Sequence, residues 1–425
     1  MKNRVVVTGM GIIAPNGHGI EAFEIALKKG VSGIRFIPDL EELKFGCRVA
    51  GVPENIDDIC LKYFTDEQLL AMNSNIKFAS IAAIDAWRDT GFEVPADDSE
   101  SVDWDTGAII GTGIGGMDTT GEKLVPFTNA GKTRRLGSTI VEQVMASGVS
   151  AKVSGFLGLG NQVTTNSSAC STGTEAIFDA VHRIRYGLAE RMLAGGSEGA
   201  SPYIWAGFDA MRVLNRTRNE EPDKASRPMS ASAAGFIPGS GAGILMLENL
   251  DSALERGAKI YAEIIGGAIN CGGQRLGGSM TAPNPTAVQR CIQNALTDAE
   301  IDGSQVDAIN GHLTATFADP HEIKNWAKAL GRTEQDFPLI NATKSLVGHC
   351  LGAAGGLESV ACVLQVYKGF VHGSVNCEDL HEELLPYSSS IVQQTRETPE
   401  LKIQAKASFG FGDVNTCVLY KKWEE

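Results

Sequence analysis

The sequence predicts an α/β protein of stacked helix and sheet layers, built from two halves of similar rhythm. Short β-prone runs alternate with amphipathic helical stretches along the whole chain, the pattern of a mainly parallel sheet covered by helices. The rhythm restarts near residue 256, so the division is expected between 1–255 and 256–425. The 49 glycines gather in clusters rather than in a low-complexity tract, which predicts tight turns and close backbone contacts around sites.

In the first half, residues 5–8 (Val-Val-Val-Thr) read as a buried strand that ends at Gly9-Met10-Gly11, and 20–29 as a helix. Residues 66–90 carry Leu69, Met72, Ile76, Ala79, Ala83 and Trp87 at helix spacing. A strand at 106–111 runs into a glycine turn at 111–116. A β-prone run at 163–165 precedes Cys170, and Ala176, Ile177, Ala180, Val181 and Ile184 then mark a helix. Strands follow at 191–194 and 242–248. The second half offers strands at 259–265, 306–310, 338–342, 402–408 and 416–421, with helices near 284–299, 319–330 and 350–368.

The net charge of −14 argues against general nucleic-acid or membrane-surface binding. Nine cysteines, scattered and odd in number, form no Cys-x-x-Cys pair and no zinc spacing, so no metal is expected. Met-Lys-Asn-Arg leads directly into Val5 without a secretory pattern, which predicts a reduced, cytoplasmic protein. No apolar run approaches the about 18 residues of a membrane span.

Four stretches carry chemistry. Cys170 sits among small residues (Ser168, Ala169, Ser171, Gly173) where a strand turns into a helix N-terminus. The dipole and free N–H groups there are expected to lower a thiol pKa; the alternative is a buried, inert cysteine. Asn310-Gly311-His312-Leu313-Thr314-Ala315-Thr316 and Thr343-Lys344-Ser345-Leu346-Val347-Gly348-His349 each place a histidine in a loop at a strand end, where open α/β sheets build their sites. Ser408-Phe409-Gly410-Phe411-Gly412 is a glycine loop with two aromatics, or simply a hairpin with core phenylalanines. Residues 111–116 formally match Gly-x-Gly-x-x-Gly, but no acidic residue closes a second strand about 20 residues on, so a tight turn beside a channel is expected rather than a nucleotide site.

Together and in this order, Ser-Ala-Cys-Ser-Thr-Gly-Thr, Thr-Lys-Ser-x-x-Gly-His-x-Leu-Gly-Ala-Ala-Gly-Gly and Ser-Phe-Gly-Phe-Gly resemble the β-ketoacyl-acyl carrier protein synthases of the thiolase superfamily, the Cys-His-His elongating type. The resemblance implies a thiolase-like five-layered α-β-α-β-α fold of two similar halves. It implies that Cys170 takes an acyl group from an acyl carrier protein. His312 and His349 would then act on malonyl-carrier protein in a decarboxylative Claisen condensation that lengthens the chain by two carbons in fatty acid biosynthesis. Lys344 and Glu358 would support the histidines, with Asn310 beside them. Thr314 and Thr316 would hold the pantetheine arm, Phe411 would gate the site with Phe409 beside it, and Ile114 would line the acyl pocket. No cofactor is implied. A homodimer is implied, or a heterodimer with a cysteine-less chain-length subunit. Some relatives hold a monovalent cation near the positions of Asn310 and Glu358, and Lys406 lies close to that position here.

Three departures from the family pattern stand out. Leu313 replaces a glycine beside His312 and is expected to narrow the malonyl side. Asp413 and Val414 break the gating loop, which should restrict it. An arginine after Arg227-Pro228 is missing, which leaves Lys123, Lys132, Arg134 and Arg135 as the basic set for an acidic carrier protein. These altered walls favour, as an alternative, a specialised polyene, aryl-polyene or polyketide-type synthase. A non-decarboxylating thiolase fits less well, because the C-terminal loop has no cysteine.

Overall fold

The computed structural model describes residues 2–424. Five strands of the first half are β1 (Val5–Ala14), β2 (Thr106–Gly111), β3 (Val163–Thr164), β4 (Arg191–Glu198) and β5 (Gly241–Asn249). Five of the second are β6 (Ala262–Cys271), β7 (Ala308–Asn310), β8 (Leu339–Asn341), β9 (Ile403–Gly410) and β10 (Val414–Lys422). They lie in the order β3-β2-β4-β5-β1 and β8-β7-β9-β10-β6, and β1 meets β6 edge to edge through Val5, Val6 and Val7. The two halves also agree in strand sense. The β2–β4 and β2–β3 pairs are parallel, as are β7–β9 and β7–β8, whereas β1–β5, β4–β5, β6–β10 and β9–β10 are antiparallel. The sheets are therefore mixed, not mainly parallel. In each half the fourth and fifth strands run antiparallel, joined in the second half by a tight hairpin.

The principal helices repeat as well: α1 (Ser74–Asp89), α2 (Gly148–Leu157) and α3 (Thr172–Arg185), then α4 (Pro285–Asp298), α5 (Asp319–Leu330) and α6 (Ala354–Lys368). Alternate side chains of each strand serve different layers. Met192 and Ala194 face the central core with α3 and α6, while Leu193 faces the outer core with α1 and α2. In β9, Ala405, Ala407 and Phe409 pack outward with α4 and α5. The layers are thus α1/α2, sheet, α3/α6, sheet, α4/α5.

Two expected boundaries move for physical reasons. β1 does not end at Gly9-Met10-Gly11 but runs through it to Ala14. The glycines let α1 lie against the strand: a Cβ at Gly11 would sit 1.8 Å from the Ala82 carbonyl oxygen and one at Gly9 2.3 Å from that of Ala86. The helix expected over 66–90 breaks in two, because Asn73 caps a new start by accepting the N–H of Ile76 (2.9 Å).

Candidate active site

The turn that carries Cys170 is strained and tightly bonded. Ala169 has φ +50°, and Ala169–Ser171 form a 3₁₀ turn leading into α3. The Thr172 hydroxyl closes the turn, donating to the Ala169 carbonyl (2.6 Å) and accepting the Ser168 N–H (2.8 Å). α3 and α6 meet at their N-termini glycine to glycine. A Cβ on Gly173 would lie 2.6 Å from Gly356 N, so this contact admits no side chain there. That approach brings Cys170 to the loop before α6, which carries His349.

The structure brings Cys170, His312 and His349 together. Their ligand atoms lie within 4.8 Å of one another, and all three side chains are buried. His349 Nε2 is 3.0 Å from Cys170 Sγ. Its Nδ1 accepts the N–H of Leu351 (3.2 Å), so the proton of the neutral ring is on Nε2, aimed at sulfur. The backbone of His349 is clamped by pairing with Ile237 and Gly239 (2.7 and 2.9 Å). The His312 and His349 rings meet edge to face at 5.5 Å, with Phe409 on one side of His312 and Phe236 against His349.

A sulfur and two imidazoles are also a soft-metal donor set. A tetrahedral zinc, however, would hold N and S about 3.5 Å apart. The 3.0 Å contact is hydrogen-bond geometry instead.

The electrostatics correct one expectation. Burial pushes the Cys170 thiol up to about 11, against the opposing pull of Lys344 and of the Phe411 and Cys170 backbone N–H groups. The helix N-terminus does not outweigh enclosure in a low-dielectric pocket. Burial, and then the positive charge of Lys344, holds both histidines well below the ordinary imidazole range, so they are neutral donors.

Lys344 and Glu358 form a fully buried ion pair (2.5 Å) beneath the histidines. Asn310 is buried beside it and donates to Asn341 Oδ1 and Thr343 Oγ1 (3.0 and 2.9 Å). The half-buried Thr314 and Thr316 hydroxyls lie 3.1 Å apart on the His312 loop. Phe411 caps the β9–β10 hairpin and is half-buried. Ser171 Oγ lies within hydrogen-bond reach of the carbonyls of Ser408 and Val414 (3.1 and 3.0 Å), and its one O–H ties that hairpin to the Cys170 turn. Ile114, 36% exposed, lies on the 111–116 turn. The turn's Gly113 carbonyl accepts the Ser167 hydroxyl (3.1 Å), and Gly113 N–H donates to the buried Glu198 (2.9 Å). Lys123, Lys132, Arg134 and Arg135 are all exposed.

Of the two departures in the site loops, one resolves against expectation and one with it. Leu313 does not narrow the site. It is wholly buried in the outer core of the second half, with Met229 and Trp326 in the same cluster, at φ +21°. Asp413 does restrict its loop. At φ +64° and fully buried, its carboxylate accepts the N–H groups of Gln274 (3.0 Å) and Asn284 (2.8 Å), pinning residues 272–284 to the hairpin.

Sequence reasoning missed Glu322, whose carboxylate accepts the N–H groups of His312 and Leu313 (2.6 and 2.8 Å). It also missed Asp319, which accepts those of Thr314 and Ala315 (2.9 and 3.1 Å). Both acids lie in the first turn of α5, and two acids opening a helix directly after the His312 motif are the sequence signal that could have found them. Phe208 and Phe236 were missed too; they link Phe411 to His349 ring by ring.

Residues 2–253 match the family described as "Beta-ketoacyl synthase, N-terminal domain" and residues 261–378 the corresponding C-terminal domain. The chain is 36% identical to 3-oxoacyl-[acyl-carrier-protein] synthase 2 of Vibrio harveyi over the full length of both. It is 33% identical to the chloroplastic synthase I of Arabidopsis thaliana, covering 100% of this chain and 87% of that one. Among solved structures, it superposes along the full length of both chains on a type II polyketide ketosynthase in complex with its acyl-carrier protein (TM-score 0.87, 30% identity). It does so equally on the ishigamide ketosynthase/chain length factor (TM-score 0.88, 27% identity).

Proposed function

The chain belongs to the β-ketoacyl synthase family, and from that membership and the geometry at Cys170 we propose that it works as a 3-oxoacyl-[acyl-carrier-protein] synthase in fatty acid elongation. It is an acyltransferase of the condensing kind. The single observation that carries the residue assignment is His349 Nε2 at 3.0 Å from Cys170 Sγ, with His312 beside it.

In the first half-reaction the Cys170 sulfur attacks an acyl-carrier thioester, the carrier's thiol leaves, and the proton of Cys170 ends on that thiol. The N–H groups of Cys170 and Phe411 face the sulfur and serve the oxyanion of this step. In the second, malonyl-carrier protein loses CO2, and the electron pair of the broken C–C bond delocalises onto the thioester oxygen. His349 and His312, neutral and hydrogen-bearing, donate to that oxygen where charge develops. The carbanion attacks the acyl carbon, the Cys170 thiolate departs and takes a proton from the medium, and a 3-oxoacyl-carrier remains.

Thr314 and Thr316 are assigned to the pantetheine arm, Ile114 to the acyl pocket and Phe411 to the gate. Lys123, Lys132, Arg134 and Arg135 are assigned to the carrier protein, supported by their common exposure on 123–135. A dimer is supported by exposed apolar side chains near the 111–116 turn (Ile114, Val141, Met145). A cytoplasmic setting is supported by nine free cysteines. No helix among the described residues is long and apolar enough to cross a membrane.

A specialised polyene or polyketide-type role is the second reading, favoured by the two structural relatives above. Intact-protein mass after mixing with saturated, polyunsaturated and aryl-primed acyl-carrier proteins separates the two. Loading of saturated chains on Cys170 and their extension supports the elongation role. Loading of unsaturated or aryl chains alone supports the specialised one. Absence of loading from every carrier contradicts both.

A further inference from the structure

Each oxygen of the buried Glu358 carboxylate faces an ammonium group. Lys344 Nζ lies 2.5 Å from one and Lys406 Nζ 2.8 Å from the other, with the three side chains at most 2% exposed. The hydrogen bonds of Lys406 go to the Ala407 carbonyl and to Ser408 Oγ (3.1 Å). The contact of Lys406 with Glu358 Oε2 is one of charge at 2.8 Å, since that oxygen has no hydrogen-bond partner among the described residues.

Lys406 stands on β9 between outward-facing Ala405 and Ala407, so β alternation aims it into the middle layer toward α6. A monovalent cation bound through Glu358 does not fit this donor set. Each carboxylate oxygen already lies within 2.8 Å of an ammonium nitrogen, and a cation there would stand against two ammonium groups.

We propose that Lys406 is a positioning residue whose ammonium serves as the built-in counter-ion of Glu358, making the histidine pair independent of monovalent cations in solution. The inference rests on the condensing role above. Lys406 ties three parts of the site together. Through Glu358 it reaches Lys344 on the His349 loop. Through Ser408, whose hydroxyl meets that of Thr174 (2.9 Å), it reaches α3 behind Cys170. Its charge also acts on His312 and His349 along with that of Lys344. The carboxylate facing it is Glu358, and Glu322 faces Lys344 from α5. A neutral replacement therefore removes positive charge from beneath both rings.

The test compares the full-length wild type with Lys406→Ser in potassium, ammonium and tetramethylammonium buffers of equal ionic strength, reading melting temperature and malonyl-carrier decarboxylation. The wild type should be indifferent to the cation in both readouts. Lys406→Ser should lose about tenfold to a hundredfold of the decarboxylation rate in tetramethylammonium. The acid limb of its pH profile should move up by about one unit, since less positive charge opposes protonation of the rings. Ammonium should restore both its rate and its melting temperature. Lys406→Met, which keeps the bulk without the charge, should lose the rate without ammonium rescue. A wild type that gains rate or melting temperature from potassium overturns the proposal, as does a serine variant with wild-type rate and limb in tetramethylammonium. If the wild type neither condenses nor decarboxylates, the condensing role fails, and the melting temperatures still decide the lysine's part.

Discussion

His349 lies with Nε2 3.0 Å from the Cys170 sulfur while its Nδ1 takes the N–H of Leu351 at 3.2 Å. The second contact decides the first, because a neutral ring that accepts at Nδ1 donates at Nε2. His349→Gln, which keeps an N–H donor, should retain about tenfold or more malonyl-carrier decarboxylation relative to His349→Ala, which should fall by about 10²–10³. Equal rates in the two variants would remove the donor role; steady-state CO2 release measures both.

The Cys170 thiol, raised to about 11 by burial, is protonated at neutral pH. Since the thiolate is the nucleophile, alkylation of Cys170 by iodoacetamide should rise about tenfold per pH unit from pH 7 to 10. The sign for stability is opposite. A thiol that ionises near 9 when unfolded and near 11 when folded favours the fold below pH 9 and loses that contribution as pH climbs toward 11. Rates by mass spectrometry that level off below pH 8 would contradict the assignment.

Leu313 fills the outer core of the second half and does not face the substrate. Leu313→Ala should therefore cost about 2–4 kcal/mol in denaturant unfolding, with no relief of the unfavourable φ of +21°, because alanine keeps the Cβ. The KM for malonyl-carrier protein should stay within about twofold of wild type. A large KM change with unchanged stability would place the side chain in the site after all.

Asp413 holds residues 272–284 against the hairpin through two backbone N–H groups. Asp413→Gly should lower stability by about 2 kcal/mol or more and loosen that segment. Cys271, the one exposed cysteine, borders it and reports on it. Its labelling by a thiol reagent should quicken in the variant, and unchanged labelling would mean the loop is held by something other than this carboxylate.

Much of the fold was legible because strand and helix periods are local. Asp319–Leu330 and Pro285–Asp298 stand within a residue of where their apolar spacing puts them. Long-range packing was not legible. Gly9 and Gly11 look like a turn until α1 is laid across them, and strand sense within each half depends on pairings far apart in sequence. At the site, small residues around Cys170 and histidines at strand ends carried the signal. The direction of Leu313 depends on Glu322 and the tertiary core, and the Cys170 pKa depends on enclosure; neither can be read from neighbours in sequence.

The most direct test is the stoichiometry of one reaction. Wild type and Cys170→Ala are each given a cognate acyl-carrier protein and malonyl-carrier protein labelled in its free carboxylate, and released CO2 is counted against 3-oxoacyl-carrier formed. An acyl-Cys170 route predicts one CO2 per product in the wild type and no product from the variant, with the acyl group on Cys170 by intact mass before malonyl-carrier protein is added. Product from Cys170→Ala, or product without CO2, would contradict it.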